Sequence, residues 1–238
     1  MEEWLERTAL LLGDASLKVL SNSHVLVVGL GGVGAYAAEQ LCRAGVGELT
    51  LVDGDSIQPT NINRQLPALR STVGHPKAEV LAERFRDINP ALRLHVMPSY
   101  LHGEAMQGLL SHRFSYVVDA IDTLAPKLTL IRYAVEGGQR LVSSMGSGGR
   151  LNPELVRVAD IDSSHGCPLA RMLRKRLHRL GIRTGFKVVY SPEEVSPRAM
   201  RPCDEPNKKT VVGTISYMPP LFGCMLASVV LRDLIAAE

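Results

Sequence analysis

The 238-residue sequence predicts an α/β fold, with a Rossmann-like, doubly wound and mostly parallel sheet that carries helices on both faces. Three observations predict it. Apolar strand segments alternate with helical patterns, the first strand ends in a glycine-rich turn, and the composition, 45% hydrophobic and 21% charged, is that of an ordinary globular chain. The length is enough for one large buried core, so we expect residues 1–238 to form a single domain.

Strands and helices follow one another in the order that βαβ units require. The first strand segment is a continuous apolar run rich in β-branched residues, which suits a strand buried on both faces of a parallel sheet, whereas 92–97 alternates between apolar and polar residues. The helical segment 75–89 has apolar residues at helical spacing. The expected strands are 24–29, 48–53, 92–97, 115–122 and 139–145. The expected helices between them are 33–44, 75–89 and 126–136.

The regular alternation of strands and helices ends in the last third of the sequence. We expect two more strands and one helix there, at 154–161, 185–191 and 167–180. Residues 191–210 are rich in proline, lysine and acidic residues, which predicts a mobile loop. The apolar run 218–231 is shorter than the roughly 20 residues that span a bilayer, so it predicts a buried helix. The sequence begins acidic, without the basic region of a signal peptide, and we expect a cytoplasmic protein with no membrane partner.

A glycine-rich turn follows the first strand, in the sequence GLGGVG at 29–34. In this motif Gly29 permits a tight bend, Gly31 lets the backbone approach a phosphate and Gly34 lets helix and strand pack closely. Gly32 completes the motif. Asp53 ends the next strand, where a carboxylate accepts hydrogen bonds from a ribose. The pattern predicts an adenine nucleotide site and fits NAD as well as ATP.

Charged residues further along favour a nucleoside triphosphate over a dinucleotide. Arg64 and Lys77 would add cations near the phosphates, which a triphosphate needs more than a pyrophosphate does. Asp122 ends the fourth expected strand and would reach the same crevice at the carboxyl edge of the sheet. A carboxylate in that position can hold Mg²⁺ against phosphate oxygens. The sequence therefore favours ATP and Mg²⁺ as cofactors, bound by the part of the domain formed by residues 1–150.

These residues together resemble the ubiquitin-activating-enzyme-like, or ThiF-like, superfamily, whose members activate carboxylates with ATP. The resemblance rests on GxGGxG, the acid that ends the second strand, NxNRQ, GxPKAE and DAIDT. It implies that Arg64 and Lys77 contact phosphates in catalysis and that Asp122 holds Mg²⁺. It also implies that Asn61 and Asn63, the asparagines of NxNRQ, belong to the nucleotide site.

Within the superfamily, the sequence looks most similar to the tRNA threonylcarbamoyladenosine dehydratases, over nearly its whole length. The similar segments are RTALLLG, NINRQLPALRSTVG, AERFRDINP, VVDAIDT, SSMGSGGRLNP and CPLARMLRKRL. This resemblance implies ATP-dependent dehydration, or cyclisation, of N6-threonylcarbamoyladenosine in tRNA through an acyl-adenylate, with release of AMP and pyrophosphate. The superfamily's N-terminal helix carries an arginine that reaches the ATP of a neighbouring subunit. Here that residue is Arg7, which implies a homodimer with shared sites.

Two other classes of function stay open. One is an adenylyltransferase that activates the C-terminal carboxylate of a ubiquitin-like or sulfur-carrier protein, for which RNA-independent turnover would be diagnostic. The other is an NAD-dependent oxidoreductase or a nucleotide-sensing module, for which preferential NAD binding would be diagnostic. The four cysteines form no CxxC pair, so we expect no structural zinc. Cys203, in the expected loop, is a candidate acyl acceptor.

The basic stretch 171–187 is the candidate tRNA-binding surface, since it contains seven Lys or Arg and no acidic residue. The net charge of +3 does not by itself indicate a nucleic-acid partner. Leucines at helical spacing should face the core, namely Leu169, Leu173, Leu177 and Leu180. The cations then left for tRNA phosphates are Arg171, Arg174, Lys175 and Arg179. A merely solvated helix face would have the same pattern. We assign residues 151–238 to the part that faces the tRNA.

Overall fold

The computed structural model of the chain describes residues 2–202 and 210–236. The strands within them are β1 (His24–Val28), β2 (Glu48–Val52), β3 (Arg93–Met97), β4 (Tyr116–Asp119), β5 (Leu141–Ser144), β6 (Arg157–Asp160), β7 (Lys187–Tyr190), β8 (Met200–Pro202) and β9 (Thr210–Val212). The α-helices are α1 (Glu6–Ser21), α2 (Gly34–Arg43), α3 (Lys77–Ile88), α4 (Gly103–Ser111), α5 (Leu124–Glu136), α6 (Pro168–Arg179) and α7 (Met218–Ile235).

Seven of the strands form one sheet in the order β3-β2-β1-β4-β5-β7-β6. All neighbours are parallel except β6, which runs antiparallel to β7. The chain starts in the middle at β1, moves outward to β3, and returns to β4 on the other side of β1. The connections that follow β1 and β4 therefore diverge at the carboxyl edge of the sheet, and this switch point is where such folds bind ligands.

Helices cover both faces of the sheet, which confirms the doubly wound prediction. Successive residues of β1 point to opposite sides. Val25 and Val27 join the core formed with α2, α3 and α7, whereas Leu26 and Val28 join the core formed with α4, α5 and α6. The sheet is thus the middle layer of three.

The last helix is a core helix, as the sequence predicts. By length and composition alone α7 could cross a membrane, since its 18 residues are strongly apolar. In the fold, however, Phe222, Leu226 and Val230 are buried in the core on the α2 side of the sheet. A Cβ atom on Gly223 would lie 2.4 Å from the carbonyl oxygen of Val33, so α7 packs directly on the start of α2.

Several expected boundaries were wrong. The fourth strand ends at Asp119 rather than at 122, so Asp122 lies in the turn before α5. The loop expected at 191–210 contains a 3-10 helix, Pro197–Ala199, and the strand β8, which pairs with β9 in a separate antiparallel ribbon. Residues 203–209 of that stretch lie outside the described residues. The sequence pattern also missed α4, a short helix that buries only Met106 and Leu110.

Candidate nucleotide site

The glycine turn between β1 and α2 is closed by backbone contacts that leave no room for side chains. Gly29 has a φ of +88°, and its N–H donates to the carbonyl oxygen of Val52 at 2.8 Å. A Cβ atom on Gly29 would lie 2.8 Å from the carbonyl oxygen of Ala120, and one on Gly34 would lie 1.7 Å from that of Gly29. Gly29 and Gly34 therefore hold the turn against the end of β4 and the start of α2.

The two middle glycines have different surroundings. A Cβ atom on Gly31 would meet only the side-chain amide of Gln65, at an ordinary 3.7 Å. A Cβ atom on Gly32 would lie 2.9 Å from Cβ of Pro219, at the start of α7, and 3.4 Å from the carbonyl oxygen of Arg64. Packing therefore requires glycine at 32, whereas Gly31 leaves backbone open to an approaching phosphate at the helix N-terminus.

Asp53 ties the end of β2 to the glycine turn. One carboxylate oxygen accepts the N–H of Leu30 at 2.6 Å, and the other accepts the N–H of Asp55 at 2.7 Å. Burial raises the pKa of Asp53, and the positive charge of Lys77 opposes that shift. Each carboxylate oxygen can accept a second hydrogen bond, so Asp53 can still accept hydrogen bonds from the hydroxyl groups of a ribose.

Lys77 lies at the first position of α3 and forms an ion pair instead of pointing freely into the crevice. Its buried ammonium group is 2.6 Å from Oδ2 of Asp55, whose carboxylate is about half exposed. The hydroxyl of Tyr100 donates to the other oxygen of Asp55, and this bond raises the pKa of Tyr100 to about 12. Asp55 thus contacts both Lys77, the cation expected at the phosphates, and Tyr100, an exposed residue three positions after β3.

The segment that contains Asn61, Asn63 and Arg64 is a compact turn. The side chain of Asn61 is buried and accepts the N–H of Gln58 at 3.0 Å. Asn63 donates to the carbonyl oxygen of Thr214 at 3.0 Å. Both asparagines therefore shape the loop. Nη1 of Arg64 donates to the side-chain oxygen of Asn63 at 2.8 Å. Burial lowers the pKa of Arg64, and the charge of Asp122 opposes this shift. The two side chains are therefore close enough to interact electrostatically.

A buried ion pair fixes the turn that carries Asp122. The Asp119 and Lys127 side chains are both 0% exposed, with 2.6 Å between Oδ2 and Nζ. Ser143 donates to the same carboxylate at 2.6 Å, and Lys127 also donates to the carbonyl oxygen of Ile121 at 2.9 Å. Asp119 is therefore fully engaged inside the protein. Asp122 is the acidic residue that this turn presents at the surface of the crevice.

The MGSGG run that follows β5 is packed against the segment before α7. The N–H of Gly149 donates to the carbonyl oxygen of Gly213 at 2.8 Å. Arg150 is buried, and it donates to the carbonyl oxygens of Ser191 and Gly148. Its Nη2 atom is buried with no hydrogen-bond partner among the described residues. The run is therefore fixed against the segments that contain Ser191 and Gly213.

Of the two remaining predicted catalytic residues, Arg7 and Cys203, the structure describes only Arg7. Arg7 is exposed near the start of α1. Leu5, two residues earlier, packs against Gly45, which follows α2 at the amino edge of the sheet. Arg7 is therefore at the edge opposite its own nucleotide crevice. Cys203 lies outside the described residues.

The expected basic helix exists as α6, with two corrections. Leu173 and Leu177 are buried, but Leu180 is 44% exposed, because the helix ends at Arg179 and the chain turns away. Arg174 is only partly exposed and donates to the hydroxyl of Ser164. The other three cations predicted to face tRNA are exposed, and we call this row the basic face, consisting of Arg171, Lys175 and Arg179.

Four polar groups of the site region received no role from the sequence pattern: Asp55, Tyr100, Lys127 and Arg150. A signal existed for two of them. Asp55 stands two residues after Asp53 at a strand end, and a lysine eight residues after Asp119 falls in the first turn of α5. Nothing local distinguishes Tyr100 or Arg150, because their partners are distant in the sequence.

The chain is similar to several known proteins. A sequence model of the ThiF family matches residues 5–237. The tRNA threonylcarbamoyladenosine dehydratase of Escherichia coli is 36% identical, over 99% of this chain and 96% of that protein. The Bacillus subtilis protein of the same name is 40% identical, over 82% of this chain and 76% of its own length. The crystal structure of the E. coli enzyme in complex with ATP superposes with a TM-score of 0.90 at 35% identity, covering 100% of this chain and 97% of that one. The chain belongs to the ThiF family.

Proposed function

We propose that this protein is an ATP-dependent tRNA threonylcarbamoyladenosine dehydratase. The observation that carries the proposal is the crevice at the switch point of the sheet, where the open backbone at Gly31 lies in the same region as Arg64 and Asp122. A cation and a carboxylate beside a phosphate-binding turn suit a nucleoside triphosphate. The similarity to dehydratases of two bacteria, over 99% and 82% of this chain, supports the choice of this activity over protein adenylation.

The reaction starts with a carboxylate, which is a poor electrophile because its oxygen is a poor leaving group. A carboxylate oxygen of the threonylcarbamoyl group attacks the α-phosphorus of ATP, and the bond to pyrophosphate breaks. The acyl-adenylate then has AMP as its leaving group. The urea oxygen or the N6 nitrogen attacks the activated carbonyl, a five-membered ring closes, one proton is lost and AMP departs. The threonine nitrogen is excluded, because its attack would close a three-membered ring. Proximity within one molecule accelerates this second step.

Asp122 fits a magnesium ion better than any other carboxylate of its turn. Asp119 is sealed in the buried ion pair, whereas Asp122 is exposed at the carboxyl edge of the sheet. Mg²⁺ accepts one or two carboxylates and fills its remaining positions with phosphate oxygens and water. When bound there with ATP, the ion supplies positive charge against the phosphates. Arg64, whose pKa is influenced by the charge of Asp122, would supply a second positive charge in the same region.

Lys77 would contact the phosphates from its position at the start of α3. Its pairing with Asp55 places the ammonium group near Asp53, whose titration it influences. Asp55 then acts as a positioning residue, because it holds Lys77 in one conformation. The expected signature of an Asp55→Asn variant is a raised KM for ATP with a smaller change in kcat.

The tRNA would lie across the part of the domain formed by residues 151–238, on the basic face of α6. Support comes from the exposure of Arg171, Lys175 and Arg179 together on one helix. Phosphate contacts of this kind are salt-dependent and carry no sequence information. Recognition of one modified nucleoside would therefore reside in the crevice, while the helix contributes affinity.

We also propose a homodimer in which Arg7 serves the partner's ATP site. The N-terminal half of α1 is set off from the rest by Gly13, which has non-helical angles, and it exposes Leu10 and Leu11, each 82% accessible. Two adjacent exposed leucines on a helix favour contact with another surface. The expected result for Arg7→Ala is a dimer with weakened ATP turnover. A variant that stays fully active contradicts the shared site.

We expect the protein to be cytoplasmic. The decisive experiment follows AMP release by the purified protein in the presence of Mg²⁺, ATP and tRNA that carries N6-threonylcarbamoyladenosine. The expected product nucleoside is lighter than the substrate by one water, and AMP forms only with the modified tRNA. The same tRNA without the modification is the control. AMP release that is independent of tRNA, with no change in nucleoside mass, would refute the proposal and favour a protein carboxyl terminus as substrate.

A further inference from the structure

Three side chains converge at the amino edge of the sheet, away from the nucleotide crevice. His24 begins β1 and Glu48 begins β2, and the two residues are register partners. His95 of β3 pairs with Thr50, so all these side chains point to the same face. Nε2 of His95 is 2.7 Å and Nδ1 of His24 is 3.5 Å from Oε1 of Glu48. One nitrogen from each histidine and one oxygen of Glu48 all lie within 4.8 Å of one another.

The outward atoms of two of these groups are held by neighbours. Nε2 of His24 is 2.8 Å from the hydroxyl of Thr50. Arg93 donates to Oε2 of Glu48 from Nη2 at 2.8 Å and from Nε at 3.2 Å. Thr50 can accept a hydrogen bond from a protonated Nε2, and in that tautomer Nδ1 of His24 has its lone pair on the side of Glu48. Such partners orient ligating side chains in metal sites.

We propose that His24, Glu48 and His95 bind a divalent transition-metal ion of the Zn²⁺, Ni²⁺ or Co²⁺ type. Two imidazoles and one carboxylate are a donor set that these ions accept, with solvent in the open positions. Bonds of about 2.0–2.2 Å place tetrahedral ligands roughly 3.4 Å apart. The 3.5 Å separation of His24 and Glu48 already matches this, and His95 must move away from Glu48 by less than about 1 Å.

The side chains allow both access and that movement. They are 27%, 20% and 54% exposed for His24, Glu48 and His95 respectively, so an ion can enter and the His95 ring is free to swing. Arg93 repels an ion while it orients Glu48, and we expect weaker binding than at a closed structural site. The expectation of no structural zinc rested on the cysteines, and this site uses none of them.

The location assigns the ion a structural role. Gly29 follows His24 by five positions along β1, a distance of about 16 Å at the usual rise of an extended strand. The ion would clamp the amino ends of three adjacent strands without reaching the nucleotide. Binding to the folded state alone would raise the thermal midpoint.

The test is a Ni²⁺ titration of the untagged, metal-free full chain by calorimetry, together with thermal melting in the presence and absence of Ni²⁺. We expect one ion per chain and a higher Tm. The His95→Gln variant alters an exposed side chain and should lose both effects. Thr50→Val should weaken binding by about tenfold, because it removes the group that orients His24. His112→Gln, a nearby exposed histidine outside the cluster, is the matched control.

The possible results separate clearly. Loss of binding in His95→Gln with retention in His112→Gln supports the site. Unchanged binding in His95→Gln overturns it, because any observed binding then belongs to other groups such as the exposed Cys224. Equal losses in the two histidine variants, or no binding by the unaltered chain, also overturn it.

Discussion

The buried pair of Asp119 and Lys127 gives the sharpest prediction about stability. In a Lys127→Met variant, which keeps the length of the side chain, the carboxylate loses its counter-charge inside the protein. Breaking such a pair typically costs about 3–5 kcal/mol. Asp119 keeps hydrogen bonds from Ser143 and from the N–H of Ile121, so we expect the lower end, about 3 kcal/mol. For a chain of this size that corresponds to a Tm lowered by roughly 6–12 °C.

The matched control is Lys187→Met. Lys187 and Asp233 have the same 2.6 Å separation, but their side chains are 47% and 23% exposed. An exposed pair contributes about 0–1 kcal/mol, so the control should melt close to the unaltered protein. Urea unfolding followed by circular dichroism measures both free energies of unfolding. Equal losses in the two variants would refute the reasoning that burial makes the Asp119 pair costly to break.

A double variant checks the cause of the loss. Asp119→Asn combined with Lys127→Met leaves no unpaired charge in the interior. It should therefore be more stable than Lys127→Met alone, even though it lacks one more charged group. If the double variant is less stable than Lys127→Met, the loss of stability in Lys127→Met comes from packing and not from the unpaired carboxylate of Asp119.

Three further predictions concern other parts of the molecule. Gly34→Ala should fail to fold, because its Cβ atom would lie 1.7 Å from a carbonyl oxygen, whereas Gly31→Ala should fold normally and bind ATP about tenfold more weakly in a filter-binding assay. Burial acts to raise the pKa of Glu39, but hydrogen bonds from Arg84 and Arg43 outweigh it and hold the pKa below its usual value. Glu39→Gln should therefore cost about 1–2 kcal/mol at neutral pH, and urea melts should show this difference shrinking as pH falls through the lowered pKa of the folded state. Replacing the three cations of the basic face with alanine should weaken tRNA binding, with ATP binding unchanged. The salt dependence of tRNA binding should flatten by about one unit of slope for each phosphate that is no longer neutralised.

The sequence was sufficient for the parts of the fold that depend on local pattern. A continuous apolar run located the central strand β1, because a strand covered on both faces has no polar side, and alternation located the edge strand β3. The steric demand on Gly34 is equally local, since it comes from the carbonyl oxygen of Gly29 in the same turn, whereas Gly29 is also constrained by Ala120, which is distant in the sequence. The same information predicted a nucleotide crevice at the carboxyl edge near β1.

The rest depends on interactions between residues distant in the sequence. The sequence predicts Lys77 as a cation near the phosphates, but it does not predict that Lys77 forms an ion pair with Asp55, 22 positions earlier. Leu180 has the spacing of a core residue but stands where the helix has already ended. The sequence pattern predicts that the fourth strand extends to Asp122, because it does not show which of Asp119 and Asp122 is buried. The three-dimensional position of Lys127, which pairs with Asp119, shows that Asp119 is the buried one.

The packing of α7 on the glycine turn has a consequence for how the protein is made. Gly32 and Val33 emerge from the ribosome nearly two hundred residues before Pro219 and Gly223, which pack against them. A partly synthesised chain therefore has the nucleotide turn without the helix that supports it, and the sheet face beneath α7 is bare. Competence to bind ATP should appear late in synthesis, when α7 docks, so truncated products carry the motif without the function.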